Sequence, residues 1–221
     1  MQEKAYRGVA MEGRVAHWYD ARARRELDEY QALARRMAER LPAGSTVLEV
    51  APGPGFFAIE LAKLGQYKIT GLDISETFVR IARENAAQEA VEVDFRHGNA
   101  SHMPFESGAF DFVFCRGAIQ NIRDPVKAFG EMRRVLSAGG TAVVVDIRKD
   151  LPRKAINAWA RKVHTGGVAN WLMDQAIYRL LSRRAYTRDQ LRRFISESGF
   201  RKFHIREQPM FLEMWLENDL G

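Results

Sequence analysis

The sequence predicts an α/β fold built on a parallel sheet covered by helices on both faces. Three observations carry that expectation. Short apolar segments alternate with amphipathic ones from Thr46 to Ile147, the pattern of strand–helix–strand units. Ala142 to Val145 is a near-continuous apolar run, as a strand buried on both sides requires. A Gly/Pro turn follows the first apolar segment directly and leads into a helix.

The elements follow in order. Asp20 to Leu41 is an amphipathic helix in which Leu27, Tyr30, Leu33, Ala34 and Met37 recur at helical spacing, and Pro42-Ala43-Gly44 stops it. Thr46 to Val50 is the first strand, Phe56 to Leu64 a helix, and Tyr67 to Leu72 a second strand ending at Asp73. Ser75 can cap the next helix, which runs to about Ala87. Val91 to Phe95 and Phe110 to Cys115 are the third and fourth strands. Pro125 to Leu136 is helical, with Gly139-Gly140 as its terminator, and Thr141 to Ile147 is the fifth strand. Leu151 to Leu181 then reads as mostly helical and carries Trp159, Trp171, Met173 and Tyr178. Thr187 to Ser198 is a further helix with Thr187 as cap and Gly199 as stop. Phe200 to Arg206 and Met210 to Leu216 are strands joined through Gln208-Pro209, a hairpin signal. There is no internal repeat.

Bulk properties narrow the class. A chain of 221 residues suffices for one well-buried domain with a modest attachment. At 46% hydrophobic and 28% charged residues it is neither low-complexity nor disordered in composition. No uninterrupted apolar window of about 18 residues suggests a membrane span. Met1 to Ala10 lacks an apolar core, so no secretory signal is expected. Cys115 is the only cysteine, which excludes an intrachain disulfide and fits a reducing, cytoplasmic setting. No Cys/His cluster points to a metal. The net charge of +6 comes largely from arginine pairs such as Arg24-Arg25, Arg35-Arg36 and Arg192-Arg193, with acids such as Glu26, Glu39 and Glu131 among them. That pattern reads as solvated helix faces rather than a nucleic-acid surface.

The most informative segment runs from Val47 to Gly55. Glycine at a strand-to-helix turn lets the main chain approach a ligand, because there is no Cβ to clash. Ligands of open α/β sheets bind at the carboxyl ends of strands. Gly53-Pro54-Gly55-Phe56-Phe57-Ala58 matches the dinucleotide pattern G-x-G-x-x-A, a weak signal when alone. Glu49, inside the strand, is unhelpful beside a pyrophosphate and suits a cationic ligand. Asp73 lies at the spacing of a ribose-binding acid, and its carboxylate could accept hydrogen bonds from both hydroxyls. It could instead cap the helix that begins near Ser75.

Further strings extend the reading. Glu49-Val50-Ala51-Pro52-Gly53-Pro54-Gly55, Leu72-Asp73-Ile74-Ser75, Gly98-Asn99-Ala100-Ser101-His102-Met103-Pro104-Phe105, Phe110 to Gly117, and Glu131 to Gly140 occur in that order. Together, and over roughly Trp18 to Ile147, they resemble the class I S-adenosylmethionine-dependent methyltransferases of the UbiE-like and general small-molecule group. The first string departs from E-x-G-x-G-x-G at Ala51, where the family usually has glycine; alanine is small enough for the loop to survive. Asn99 stands where the family more often has Asp.

The resemblance implies a Rossmann-like seven-stranded mixed sheet with helices on both faces, an N-terminal helical lid and a helical insertion after the fifth strand. The corresponding parts are a lid and helix at 1–41, a cofactor-binding core at 42–150, an acceptor-cap insertion at 151–186, and a C-terminal helix and hairpin at 187–221. S-adenosylmethionine is the implied cofactor and S-adenosylhomocysteine the product. Glu49, Ala51, Pro52, Gly53 and Gly55 would form its loop. Asp73 would hold the ribose, with Ile74 packed on adenine. Asn99 and the Ala100 amide would meet the adenine ring. Tyr19 and the main chain at Arg116 would lie near the methionine end.

The acceptor is a small molecule in this reading, and the chain a monomer or homodimer. No N-P-P-Y-like string follows the fourth strand, which disfavours methylation of nucleic-acid amino groups. Methylation of RNA or protein, and adenosine-cofactor binding without methyl transfer, are the alternatives. Methyl transfer from a sulfonium needs mainly alignment and a desolvated cavity, so a base is hard to read from sequence. Candidates are His17, Gln120 beside Asn121, and Tyr186, with His164 and Tyr178 in the insertion. Gln120-Asn121 replaces histidine that the family often carries there. Gly166-Gly167 would be the hinge of the insertion.

Overall fold

The computed structural model describes residues 6–7, 11–65, 67–152, 154–158 and 181–219. Helix α1 spans Gly13–Ala23 and α2 Leu27–Ala38, joined by a 3-10 turn at Arg24–Glu26. Strand β1 (Thr46–Val50), helix α3 (Phe56–Ala62), strand β2 (Lys68–Asp73), helix α4 (Glu76–Gln88) and strand β3 (Asp94–His97) follow. Next come β4 (Phe110–Arg116), a 3-10 turn at Ile119–Asn121, α5 (Pro125–Val135) and β5 (Leu136–Ile147). Helix α6 (Arg188–Glu197) and strands β6 (Lys202–Glu207) and β7 (Phe211–Glu217) complete the described chain.

The seven strands form one sheet in the order β3-β2-β1-β4-β5-β7-β6. Neighbours from β3 to β5 pair in parallel, whereas β7 runs antiparallel to both β5 and β6. The terminal hairpin thus inserts one reversed strand and makes the sheet mixed, as the resemblance implies. The chain order reverses between β1 and β4, so the crevice of the sheet opens at their carboxyl ends.

Both faces are covered. Val47, Phe112, Phe114, Val143 and Val145 pack against Met37 of α2, Phe57 and Leu61 of α3, and Val79 and Ala82 of α4. On the other face, Leu48, Val113, Cys115, Ala142, Val144 and Met214 meet Phe129 and Met132 of α5 and Leu191 and Ile195 of α6. Successive residues of β5 alternate between these two clusters, which explains its apolar run.

Three expectations need correction. The N-terminal helix begins at Gly13 rather than Asp20 and breaks at Arg24–Glu26. No proline or glycine forces the break; it lets α1 lie against α4 while α2 lies against α3. The third strand starts at Asp94, because Ala90 takes φ +52° and the Val91 amide still bonds Ala86 O at 3.1 Å, closing α4. Gly139-Gly140 does not terminate α5. The chain is already extended at Leu136 (φ −73°, ψ 135°), and the glycines sit in an irregularity of β5 opposite Phe110 and Phe112. A Cβ on Gly140 would stand 2.9 Å from Ser137 O and 3.0 Å from Asp111 O, so a close backbone approach is what this glycine serves.

The caps agree with the sequence. Ser75 accepts from the Phe78 amide, and Thr187 with Gln190 forms a complete capping box at α6. Of the expected insertion, residues 154–158 and 181–184 are helical. Trp159, His164, Gly166, Gly167, Trp171, Met173 and Tyr178 lie outside the described residues. Among the described residues no helix is long and apolar enough to cross a membrane.

Candidate functional site

At the carboxyl end of β1 the chain makes a left-handed turn. Ala51 has φ +55°, Gly53 +55° and Gly55 +83°. The Ala51 amide donates to Leu72 O at 2.8 Å and the Gly55 amide to Pro52 O at 3.0 Å, so the loop is stitched to β2 and to itself. The expected survival of the loop with alanine at position 51 is what the backbone shows, at the cost of a non-glycine residue in a left-handed conformation. That conformation costs an L-residue about 1–2 kcal/mol, while glycine loses about 0.5–1 kcal/mol in chain entropy. Ala51→Gly is therefore expected to raise unfolding free energy by about 0.5–1 kcal/mol in urea titration, by the difference of those two costs. A loss of stability would mean that the Ala51 methyl makes packing contacts outweighing the strain.

Asp73 ends β2 and holds the turn. Its Oδ2 accepts from the Gly53 amide at 2.9 Å and its Oδ1 from the Ser75 amide at 2.8 Å. The carboxylate ties the loop to the start of α4, and each oxygen retains a lone pair for a further donor. The cap of α4 is Ser75 rather than Asp73, so the alternative role raised for Asp73 falls to its neighbour. Beside it Ile74 is 39% exposed, an apolar surface at the edge of the site. Glu49 is buried inside β1 and accepts from the Ala58 amide of α3 at 3.0 Å. Asn99 folds its Oδ1 onto the Ser101 amide at 2.9 Å, in a turn that also holds partly buried Ala100.

The N-terminal helix closes over this edge. Glu12 caps α4 from a distance, accepting from the amides of Glu76 at 3.0 Å and Thr77 at 3.1 Å. The Tyr19 ring stands edge-on to Phe78 at 5.7 Å, with its Cε1 3.9 Å from where a Cβ on Gly53 would be. Asn85 donates to Pro54 O at 2.9 Å and to Asp20 at 3.2 Å. Arg116, at the end of β4, lies over the Tyr30 ring at 4.6 Å and 3.5 Å from Glu26. Sequence reasoning missed Glu12, Glu26 and Asn85, whose partners lie on elements distant in sequence. Nothing in their local pattern signals the contacts.

Of the acceptor-side candidates, His17 is exposed on α1. Gln120 is 3% exposed in the turn after β4; its Nε2 reaches Gly117 O at 3.4 Å, and its Oε1 is buried with no hydrogen-bond partner among the described residues. An unpaired buried acceptor costs about 1–3 kcal/mol. Tyr186 accepts a hydrogen bond from Arg7, whose amide donates to Asn121 O at 2.6 Å. Gln120 and Tyr186 are thus brought to one corner, and His17 is on another surface. A residue absent from the sequence expectations joins them. Asp146, buried near the end of β5, accepts from the Gln120 amide at 3.3 Å and the Ile147 amide at 2.7 Å.

Burial dominates the titration of these acids. It pushes Glu49 up to about 8, the Ala58 amide only partly offsetting it. It pushes Asp146 to about 7 and Asp73 to about 6 against the amides that bond them. A carboxyl with a raised folded value binds protons more tightly folded than unfolded. Its contribution is full below the ordinary values of 3.8 for Asp and 4.5 for Glu, and is lost as pH rises through 6 to 8. Stability of the ligand-free chain in urea is accordingly expected to fall between about pH 4.5 and 8. A rising curve over that window would contradict burial as the dominant effect.

Comparisons with known proteins concern the sequence and the fold. A family model described as a methyltransferase domain matches residues 48–144. A demethylmenaquinone methyltransferase of Listeria monocytogenes is 32% identical over 130 residues, 56% of this chain and 55% of that protein. The chain thus spans about half the length of the curated relatives it matches. Among solved structures, a candidate S-adenosyl-L-methionine-dependent methyltransferase from Methanococcus maripaludis superposes with TM-score 0.77 at 22% identity, covering 100% of this chain and 98% of that one. The [4+2]-cyclase SpnF gives TM-score 0.65 at 19% identity, with 86% and 81% covered. At such identities these likenesses concern the fold.

Proposed function

We propose, for a chain that carries a class I S-adenosylmethionine-dependent methyltransferase domain, that it transfers the methyl group of S-adenosylmethionine to a small-molecule acceptor and releases S-adenosylhomocysteine. The observation that carries this reading is the convergence of Glu49, the left-handed turn 51–55, Asp73 and Ile74 on one edge of the sheet.

The residues fit that cofactor. When bound, S-adenosylmethionine supplies an electrophilic methyl group on a sulfonium. Asp73 would accept from the ribose hydroxyls while keeping the Gly53 and Ser75 amides. Ile74 would pack on the adenine, with Asn99 and the Ala100 amide at its rim. Ala51, Pro52, Gly53 and Gly55 would line the cofactor loop, and Glu49 would offset the cationic amino acid end. Tyr19 and the main chain at Arg116 would border the methionine portion. Residues 1–41 would act as the lid, and 151–186 as the cap over the acceptor. The fully buried sheet centre below the loop excludes water from one side, which favours alignment over solvation.

The activity of the demethylmenaquinone methyltransferase relatives supports an acceptor of quinol type, a hydroxylated ring, over RNA or protein. The single cysteine favours a cytoplasmic setting.

A thermal-shift titration tests the cofactor, followed by transfer of labelled methyl to a short-chain naphthoquinol. S-adenosylmethionine and S-adenosylhomocysteine are expected to stabilise the chain, by about 2.7 kcal/mol at a hundredfold excess over Kd, and NAD is not. Stabilisation by NAD alone would overturn the cofactor. Binding of S-adenosylmethionine without transfer to any acceptor would favour a non-methylating role on the same fold, as the likeness to a cyclase illustrates.

A further inference from the structure

We infer that Gln120 selects the methyl acceptor, its carboxamide oxygen receiving an O–H or N–H of the acceptor molecule, and that Asp146 positions it through the turn at Ile119–Asn121. The inference rests on the methyl-transfer reading and goes beyond it by naming the chemistry of the substrate.

Three observations support it. First, Gln120 is 3% exposed, yet among the described residues its Oε1 has no hydrogen-bond partner. Buried acceptors in folded proteins are paired as a rule, so an orphan one marks a place where a donor arrives from outside the chain. Secondly, the orientation of the amide is fixed. Nε2 points to Gly117 O at 3.4 Å, and exchanging the two ends would set oxygen against oxygen, so the oxygen is the free end. Thirdly, the turn is anchored on both sides. Asp146 accepts from the Gln120 amide at 3.3 Å, and Asn121 O takes the Arg7 amide at 2.6 Å.

Position supports the same role. Gln120 follows the end of β4, next to the switch of strand order where ligands of such sheets bind. An acceptor oxygen with a buried carboxylate behind it disfavours an anionic partner and rewards a neutral hydroxyl or amine. Carboxylate acceptors, which carry no donor when ionised, are the class this corner rejects.

The test compares molecules that differ only in donors. Protein saturated with S-adenosylhomocysteine is titrated with a short-chain 2-alkyl-1,4-naphthoquinol and its quinone, and with 4-hexylaniline and its N,N-dimethyl derivative. The unaltered chain is expected to prefer the donor-bearing member of at least one pair by tenfold or more. Gln120→Leu and Gln120→Met should reduce that preference below threefold. They should leave S-adenosylhomocysteine affinity within twofold and the melting temperature nearly unchanged, because removal of the unpaired oxygen offsets the lost hydrogen bond to Gly117 O. Asp146→Leu should reduce the preference as well, and Asp146→Asn, which keeps an oxygen for the turn amides, should restore most of it. A preference that survives in both Gln120 variants overturns the inference, as does the lack of any preference in the unaltered chain. Failure of the unaltered chain to bind S-adenosylhomocysteine would instead remove the methyl-transfer reading.

Discussion

Asp73→Ala is expected to weaken S-adenosylhomocysteine binding at least tenfold, about 1.4 kcal/mol, and to destabilise the ligand-free chain as well. The second effect follows from the two amides that the carboxylate holds, Gly53 at 2.9 Å and Ser75 at 2.8 Å. Leaving each without an acceptor costs about 1–3 kcal/mol, so a loss of about 2–6 kcal/mol would be expected in urea titration from the two amides alone. Relief of a buried acid whose value is already pushed to about 6 offsets part of it. Asp73→Asn separates the roles, because its single carbonyl oxygen can keep one amide but cannot serve both amides and the ribose. Stability should then recover more than affinity does. Affinity within twofold of the unaltered chain in a folded Asp73→Ala protein would leave Asp73 as a tie for the loop and nothing more.

Gly55→Ala should be the most damaging single methyl in the loop. The residue sits at φ +83°, where an added Cβ costs about 1–2 kcal/mol in backbone strain. That Cβ would stand 2.6 Å from Phe95 Cζ and 3.0 Å from Ala82 Cβ. Phe95 is 1% exposed, so its ring has no room to yield without displacing the helices packed on β3. Overpacking of this kind adds about 1–3 kcal/mol, giving a total near 3–4 kcal/mol. Gly44 is the internal control. Its φ is +84°, but nothing lies within 4 Å of an added Cβ, so Gly44→Ala should show only the strain. Equal losses at the two positions, read as urea midpoints with unchanged slope, would mean that the contact with Phe95 is not what requires glycine. Phe95→Leu combined with Gly55→Ala should recover part of the loss if it is.

The legible part of this protein was the part written in local pattern. Apolar runs located five of the seven strands to within two residues at their starts, because burial on both faces leaves polar residues little room. Thr141 is the observed onset of regular pairing with Phe112, although β5 as a whole begins at Leu136. The cap residues Ser75 and Thr187 also announced their helices, since each bonds an amide three residues away. The glycine pair at 139–140 misled because glycine stops a helix or permits a close approach equally well, and only the neighbouring Asp111 carbonyl decides which.

For the site the division is sharper. Sequence alone determined the strand–turn–helix around Glu49 to Gly55, the acid at the end of the next strand, and the order of motifs that resemble a methyltransferase. It could do so because those residues act through their own backbone and immediate neighbours. Only the tertiary structure decided that Glu12 caps α4, that Asn85 clasps Pro54 and Asp20, and that Asp146 holds the turn bearing Gln120. These contacts join residues 26 to 65 positions apart, and no local periodicity encodes a partner at that distance. The burial that raises Glu49, Asp73 and Asp146 belongs to the same category, because desolvation is set by what the fold stacks around a carboxylate and not by the residues beside it in the chain.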